Sequence, residues 1–140
     1  MERLQAEKKV HFLGISNIST TQLLELCRKT KVKPNFVQNR CYARQGWDKQ
    51  VREICTSEGI AYQGFSLLTA NGTELQRPLL ADIAKRHGKS VAQIVFRFCQ
   101  QLNMVCLTGT TDAGHMKMDL DIYDFELSLA EVLQIETLAP

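Results

Sequence analysis

The sequence predicts an α/β protein built from four strand–helix units. Short apolar runs alternate along the chain with amphipathic stretches, and this order is repeated four times. Strands that alternate with helices pair in parallel through right-handed crossovers. A length of 140 residues is enough for one domain with a single core. Because no linker or low-complexity segment divides the chain, we predict one domain over residues 1–140.

Apolar runs predict four buried strands. They are Val10–Ile15, Asn35–Asn39, Ile60–Ser66 and Met104–Thr108. The carboxyl ends of parallel strands meet at one edge of the sheet, where functional loops lie. Mostly small or polar residues follow these strands, as expected of a rim that faces a ligand: Ser16-Asn17, Gln38-Asn39, Ser66–Leu68 and Thr108–Thr111.

Capping boxes and periodic apolar residues predict the helices. In a capping box, a serine and a Gln or Glu three residues later satisfy each other's backbone N–H groups. Three such pairs begin predicted helices: Ser19 with Gln22, Ser90 with Gln93, and Ser128 with Glu131. Other segments are predicted as helix at Met1–Lys9, Trp47–Glu58, Pro78–Gly88 and Asp112–Asp119, and as a loop with an Asn-Gly turn at Leu67–Arg77.

Composition excludes several classes of function. A net charge of +2 argues against a dedicated nucleic-acid binder. No apolar run approaches the roughly 18 residues of a membrane helix, and residues 1–9 lack a signal core. The sequence has five cysteines, an odd number, and no two of them are spaced as C-x-x-C. We therefore expect a cytoplasmic protein with reduced thiols and without a disulfide framework or a zinc site.

The ordered motifs resemble the second half of the (β/α)8 barrel of the aldo-keto reductases. Strand-end motifs of that family match Phe12–Asn17, Val37–Asn39, Ala61–Leu68 and Leu107–Thr111, and two later runs, His115–Leu120 and Asp124–Ser128, continue in register. Each motif alone is weak, but all of them occur in order over essentially the whole chain. The resemblance implies half of a TIM barrel, with four parallel β/α units completed by a partner chain.

The resemblance also assigns a nicotinamide-nucleotide site. It implies that Ser16, Asn17 and Gln38 hydrogen-bond the nicotinamide carboxamide, which needs both donors and acceptors. Phe65 matches the aromatic that stacks on the nicotinamide ring. The remaining matched positions lie beside the pyrophosphate (Ser66, Leu68), at the end of the eighth strand (Gly109), at the adenosine 2′-phosphate (Thr110, His115) and near the adenine (Asp119).

Three departures from the family pattern leave the choice between NADP and NAD open. Gly109 replaces a frequent basic residue, His115 a frequent Arg, and Met118 a frequent Glu. A neutral imidazole is a poorer phosphate partner than a bidentate guanidinium.

The family's catalytic Asp, Tyr, Lys and His match nothing in this sequence, which aligns from the helix after the fourth strand. Tyr42, Tyr62 and Tyr123 have no neighbouring motif that would tune a proton donor. We therefore expect an oxidoreductase half that reduces aldehydes or ketones only with a complementing half. A second hypothesis is a non-catalytic nucleotide-binding or interaction protein, such as a truncated isoform or remnant. A third is an unrelated small doubly wound domain.

An incomplete barrel also predicts association. Four strands leave two sheet edges and an uncovered inner face. We expect a homo-oligomer, a complex with a complementary N-terminal half, or rearrangement into an open sheet with helices over both faces. We expect no nucleic-acid or membrane partner.

Overall fold

The computed structural model describes residues 1–139, which contain four strands and seven α-helices. The strands are β1 (Gly14–Ser16), β2 (Phe36–Arg40), β3 (Ala61–Phe65) and β4 (Val105–Cys106). The helices are α1 (Glu2–Ala6), α2 (Thr20–Lys29), α3 (Lys49–Glu58), α4 (Pro78–His87), α5 (Val91–Gln101), α6 (Ala113–Leu120) and α7 (Leu129–Glu136). Two 3-10 segments lie at Ala43–Asp48 and Glu74–Gln76.

The four strands form one parallel sheet in the order β1-β2-β3-β4. Each strand therefore pairs with its neighbour along the chain, and helices make the connections. This is the arrangement of four successive units of a (β/α)8 barrel, so the predicted α/β class with four parallel β/α units is confirmed.

The helix boundaries follow the sequence signals closely. All three predicted capping boxes are formed, with Ser19, Ser90 and Ser128 accepting from the N–H group three residues later. Gly59 and Gly88 end α3 and α4 with φ angles of 68° and 63°. A residue with a Cβ would be strained in this left-handed conformation.

The two edge strands are shorter than the sequence predicts. Val10–Ile15 was expected as the first strand, but β1 begins only at Gly14, and Phe12 is 66% exposed. Met104–Thr108 was expected as the fourth, but β4 holds only Val105 and Cys106. An edge strand has one pairing partner, so its length is set by how far the register with that neighbour extends rather than by its own apolar run.

The predicted helix Trp47–Glu58 starts two residues late. Gly46, Trp47 and Asp48 all have positive φ angles, and regular helix begins at Lys49. Trp47 is nevertheless fully buried, and its indole Nε1–H donates to the Ile135 carbonyl at 2.8 Å. The 3.6-residue period therefore predicts the buried side of the helix correctly, while the tight turn at residues 46–48 delays the start of the helix to Lys49.

The predicted Asn-Gly turn has a buried side chain instead of an exposed tip. The Asn71 Oδ1 accepts from the Ala43 N–H at 2.7 Å, and its Nδ2 donates to the carbonyls of Cys41 and Leu67. Asn71 thus joins the loop after β3 to the chain leaving β2. This loop contains a 3-10 turn at Glu74–Gln76 rather than being wholly irregular.

Within residues 1–139, helices cover one face of the sheet and leave the other open. Val37, Asn39 and Tyr62 are buried against the helices, whereas the residues between them are half-buried or exposed. On the open face, Phe12 meets the Phe36 ring edge-on at 5.9 Å, and Val105 is 46% exposed. The open face therefore carries both apolar and polar side chains, and it corresponds to the interior of a closed barrel.

Three findings on membrane spans, disulfides and metal clusters refer to the described residues alone. Within residues 1–139, no helix is both long and apolar enough for a membrane span. The five cysteines, all in that range, are unpaired, and no His, Cys, Asp and Glu residues there cluster in a way that could hold a metal ion.

An ion cluster attaches α7 to α4 and predicts an acid-sensitive contribution to stability. Burial alone would raise the pKa of Glu131, but hydrogen bonds from Ser128, Arg86 and His87 outweigh it and lower the pKa to about 2. A carboxylate whose pKa is depressed by folding stabilises the fold above its ordinary pKa of 4.5 and loses that contribution as the pH falls toward 2.

We expect Glu131→Gln to remove most of this acid dependence. Thermal unfolding followed by circular dichroism between pH 6 and pH 2 should show a steeper fall of Tm for the unmodified chain than for the variant. Glu126→Gln is the matched control, because the Glu126 side chain is 81% exposed and its ion pair with Arg97 is long, at 3.6 Å. Parallel curves for all three proteins would contradict the assignment.

Candidate nucleotide-binding site

Three polar side chains form a row across the open face of the sheet. Ser16 is the register partner of Gln38, and Gln38 is the register partner of Gln63. Register partners in parallel strands project from the same face. The Gln38 Nε2 donates to the Gln63 Oε1 at 3.0 Å. This row offers hydroxyl and amide groups close to the carboxyl ends of β1 and β2.

Two residues at strand ends adopt the left-handed conformation. Asn17, directly after β1, has φ 55°, and Ser66, directly after β3, has φ 56°. The Asn17 backbone N–H donates to the Gln38 carbonyl at 3.0 Å, and its Nδ2 lies 3.4 Å from the Ser16 Oγ. Such conformations in non-glycine residues concentrate at functional sites, where the surrounding structure holds them.

Phe65 lies on the same open face, at the end of β3. It is the register partner of Arg40, whose guanidinium carbon lies 5.4 Å above the centre of the Phe65 ring. Arg40 is exposed. A planar ligand could therefore reach the ring by displacing this exposed side chain, and it would gain the contact area that an aromatic face provides.

A cavity of about 320 Å3 lies beside the end of β4 and the helix α6. Five of the residues identified from the sequence line it: Leu68, Gly109, Thr110, His115 and Asp119. A second cavity, of about 250 Å3, is lined by Ser66 and shares Leu68 and Gly109 with the first. Since the two cavities have lining residues in common, they lie next to each other between the end of β3 and α6, and we refer to them together as the groove beside β4.

The charges near this groove are balanced rather than strongly basic. Asp112 caps α6 by accepting from the His115 N–H at 2.8 Å, and this hydrogen bond, together with the nearby imidazole, lowers the pKa of Asp112. The Thr108 Oγ1 donates to the Asp119 Oδ2 at 3.0 Å. His115 is the one basic side chain among the residues lining the 320 Å3 cavity.

The sequence did not point to the network that positions the β1 rim. Asn39, predicted only as a strand-end residue, is buried on the helix side, and its Oδ1 accepts from the Ile18 N–H at 2.9 Å. Its Nδ2 donates to the Ile18 carbonyl and to the Asp48 Oδ2, both at 2.8 Å. The Tyr62 hydroxyl donates to the same Asp48 oxygen at 2.8 Å. These bonds fix the turn that carries Asn17.

The sequence-predicted site residues therefore fall into two groups. Ser16, Asn17, Gln38 and Phe65 gather at the ends of β1, β2 and β3. The other six line the groove beside β4, as described above. Gln63 was missed, although its place two residues before Phe65 in a predicted strand puts both side chains on one face.

The three tyrosines have distinct surroundings. Tyr62 is buried, and burial is the main reason that its pKa lies well above the usual range. Tyr42 is half-buried beneath the Arg44 guanidinium, and Tyr123 is 67% exposed. In the described part of the chain, none of the three hydroxyls forms a hydrogen bond to a Lys or His side chain.

Comparison with known proteins decides the family. The family model described as "Aldo/keto reductase family" matches residues 1–140. The chain belongs to the aldo/keto reductase family. The resemblance predicted from the strand-end motifs is thereby confirmed, and an unrelated doubly wound domain is excluded.

Individual relatives place the chain within the reductase fold. It is 34% identical to a 9,11-endoperoxide prostaglandin H2 reductase of Trypanosoma cruzi and 31% identical to a glyoxal reductase of Bacillus subtilis, covering 99% of the chain and 49% of each relative. A Bombyx mori aldo-keto reductase solved in complex with NADP superposes with a TM-score of 0.83 at 21% identity, over 99% of this chain and 48% of that one. The chain spans about half the length of these relatives.

We expect Asn39→Ala to destabilise the fold by about 2–4 kcal/mol, since it leaves the N–H and the carbonyl of Ile18 without their partner and removes one of the two hydrogen bonds to the Asp48 carboxylate. Urea denaturation measures the change. Tyr62→Phe is the control, because it removes one hydrogen bond and should cost only about 1 kcal/mol. An Asn39→Ala loss no larger than that of the control would show that the network does not hold the rim.

Proposed function

We propose that this chain binds a nicotinamide adenine dinucleotide along the carboxyl ends of its strands and supplies the nucleotide-binding half of a carbonyl reductase. The single observation that carries the proposal is the groove beside β4, where residues from three separate segments meet: Leu68, Gly109 with Thr110, and His115 with Asp119. Ligand sites in parallel α/β sheets lie at this edge. The NADP in the Bombyx mori relative supports the choice of ligand.

The chemistry of the two groups fits the two ends of such a nucleotide. Ser16, Asn17 and Gln38 supply the donors and acceptors that a carboxamide requires, and Phe65 supplies a flat apolar face for the ring. The cavity of about 320 Å3 is within the usual size range of small-molecule sites, and its Asp119 and Thr108 can hydrogen-bond an adenosine. A bound dinucleotide would supply the hydride, while this chain's residues would orient the ring that carries it.

Proton transfer is the part of the reaction that we assign to another polypeptide segment. Carbonyl reduction needs a proton donor whose pKa is tuned toward neutrality. The buried Tyr62 has its pKa shifted in the opposite direction. Within residues 1–139, the hydroxyls of Tyr42 and Tyr123 form no hydrogen bond to a Lys or His side chain. We therefore propose that the catalytic Asp, Tyr, Lys and His come from a complementing half, and that aldehydes or ketones are reduced only in that complex.

The lack of a tuned proton donor among the described tyrosines favours a second candidate function. A chain that holds the nucleotide but has no tuned proton donor within residues 1–139 could act as a non-catalytic nucleotide-binding or interaction protein. Consumption of NADPH with a simple aldehyde, measured with and without an added N-terminal half, separates the two. Activity regained on addition supports the reductase half, whereas binding without turnover in either case supports the second candidate.

We further propose that the protein acts in the cytoplasm. Its five unpaired cysteines are compatible with a reducing compartment. Burial raises the pKa of both Cys41 and Cys55 to about 12, so these two thiols are poorly reactive.

The nucleotide proposal predicts how a substitution at His115 changes the preference for NADPH over NADH. Among the described residues, His115 is the one basic side chain that lines the groove, and Asp119 lines it too. His115→Arg should strengthen NADPH binding relative to NADH by roughly tenfold, because a charge-assisted hydrogen bond contributes about 1.5–3 kcal/mol. Isothermal titration calorimetry with both nucleotides measures the ratio. His11→Arg, at an exposed position before β1, is the control and should leave the ratio unchanged.

The uncovered sheet face predicts association. We propose that a second copy of the chain or a complementary N-terminal half covers it, since exposing apolar surface costs about 25 cal/mol per Å2. Sedimentation velocity at micromolar concentration should show self-association, and addition of an N-terminal half should convert it to a 1:1 complex. A monodisperse monomer that binds no such half would refute this expectation.

A further inference from the structure

Arg40 is the one charged side chain that the strands of residues 1–139 place on the open face of the sheet. It lies two residues after Gln38 in β2, and residues two apart in a strand project from the same face. The other open-face positions of the four strands hold Gly, Ala, Ser, Gln, Phe and Val. Arg40 is exposed, and no Asp or Glu of the described range forms an ion pair with it.

The strand register places this cation next to both residues that we propose to hold the nicotinamide. Arg40 is the register partner of Phe65, and its guanidinium carbon lies 5.4 Å from the centre of the Phe65 ring. Two residues of a strand span roughly 7 Å, so the Cα atoms of Gln38 and Arg40 are about that far apart. A nicotinamide ring that stacks on Phe65 with its carboxamide at Gln38 therefore lies within reach of the Arg40 side chain.

Asp48 is the one acidic side chain that lines the same cavity as Arg40, a polar cavity of about 570 Å3. The Asp48 carboxylate accepts from the Asn39 Nδ2 and from the Tyr62 hydroxyl, both at 2.8 Å. Asn39 and Tyr62 are buried on the helix-covered face of the sheet. These two hydrogen bonds hold the carboxylate toward the covered side, whereas Arg40 projects from the open side.

We propose that Arg40 is a specificity-determining residue that makes the site prefer the reduced nicotinamide nucleotide over the oxidised one. This inference rests on the proposed function. The oxidised ring is a pyridinium cation, which the guanidinium repels, whereas the reduced ring is neutral and offers a π face that a cation can contact. Such a preference suits carbonyl reduction, in which the reduced nucleotide is the form that enters the reaction.

The comparison of the two oxidation states isolates this effect from the rest of the nucleotide. NADPH and NADP⁺ carry the same phosphates and the same adenosine, so any attraction between Arg40 and a phosphate contributes equally to both affinities. The ratio of the two affinities therefore reports the charge of the ring alone. A general loss of stability that weakens both complexes leaves that ratio unchanged.

Calorimetric titration of each protein with NADPH and with NADP⁺ tests the proposal. The unmodified chain should bind NADPH more tightly. Arg40→Gln should lower the ratio of affinities by roughly fivefold, the size expected for two charges about 7 Å apart at an effective dielectric constant between 20 and 80. Arg40→Lys keeps the charge and should retain most of the ratio.

Arg44→Gln is the matched control. Arg44 is also exposed, and its guanidinium carbon lies 5.0 Å from the centre of the Tyr42 ring, so the substitution removes the same charge from a similar setting. It belongs to the 3-10 segment after β2 rather than to the open face of a strand. The ratio should therefore stay at the value of the unmodified chain.

Each remaining outcome contradicts a defined part of the proposal. An unchanged ratio in Arg40→Gln, equal affinities in the unmodified chain, or the same fall of the ratio in Arg44→Gln overturns the role of Arg40 while leaving nucleotide binding intact. Arg40→Met is the second neutral variant should Arg40→Gln fail to fold, and the same fall is expected. Failure of the unmodified chain to bind either nucleotide overturns the proposed function and this inference with it.

Discussion

The parallel register of β1, β2 and β3 is the constraint on which the rest of the site depends. It pairs Ser16 with Gln38 and Gln38 with Gln63, so polar groups that are far apart in the chain come to lie in one row. A shift of one residue would turn every side chain of a strand to the opposite face. Buried Val37 and Tyr62 oppose such a shift, because each would then exchange a place in the core for a place on the open face.

The covered side of the sheet stabilises the geometry of the open side. Asn39 is buried on the helix face, yet its three hydrogen bonds hold the turn after β1 from which Asn17 projects. Asn71 plays the corresponding part for the loop after β3, where Ser66 and Leu68 lie. Buried amides of this kind fix loops because leaving their partners unsatisfied is costly. The rim is thus positioned by residues that would never contact a ligand.

The sequence predicted the strand–helix order and most helix ends because those features depend on local chemistry. Capping serines, Gly59 and Pro78 act on residues a few positions away, and the structure has them where the sequence placed them. The lengths of β1 and β4 and the turn at Trp47 depend on neighbouring strands and on long-range packing, which a single sequence does not display. For the same reason the Gln38–Gln63 bond was missed: both residues are visible in the sequence, but the register that joins them is not.

The open face connects nucleotide binding with association in thermodynamic terms. Ser16, Gln38 and Phe65 lie on the same uncovered surface as Phe36 and Val105. A partner that covers this surface removes water from around the polar row, and its hydrogen bonds to a ligand then become stronger. If a partner tightens the nucleotide in this way, the nucleotide must tighten the partner by the same factor, since binding free energies are reciprocal. Under the proposed function, the surface that a partner would cover is therefore also the one through which that partner would control the affinity for the nucleotide.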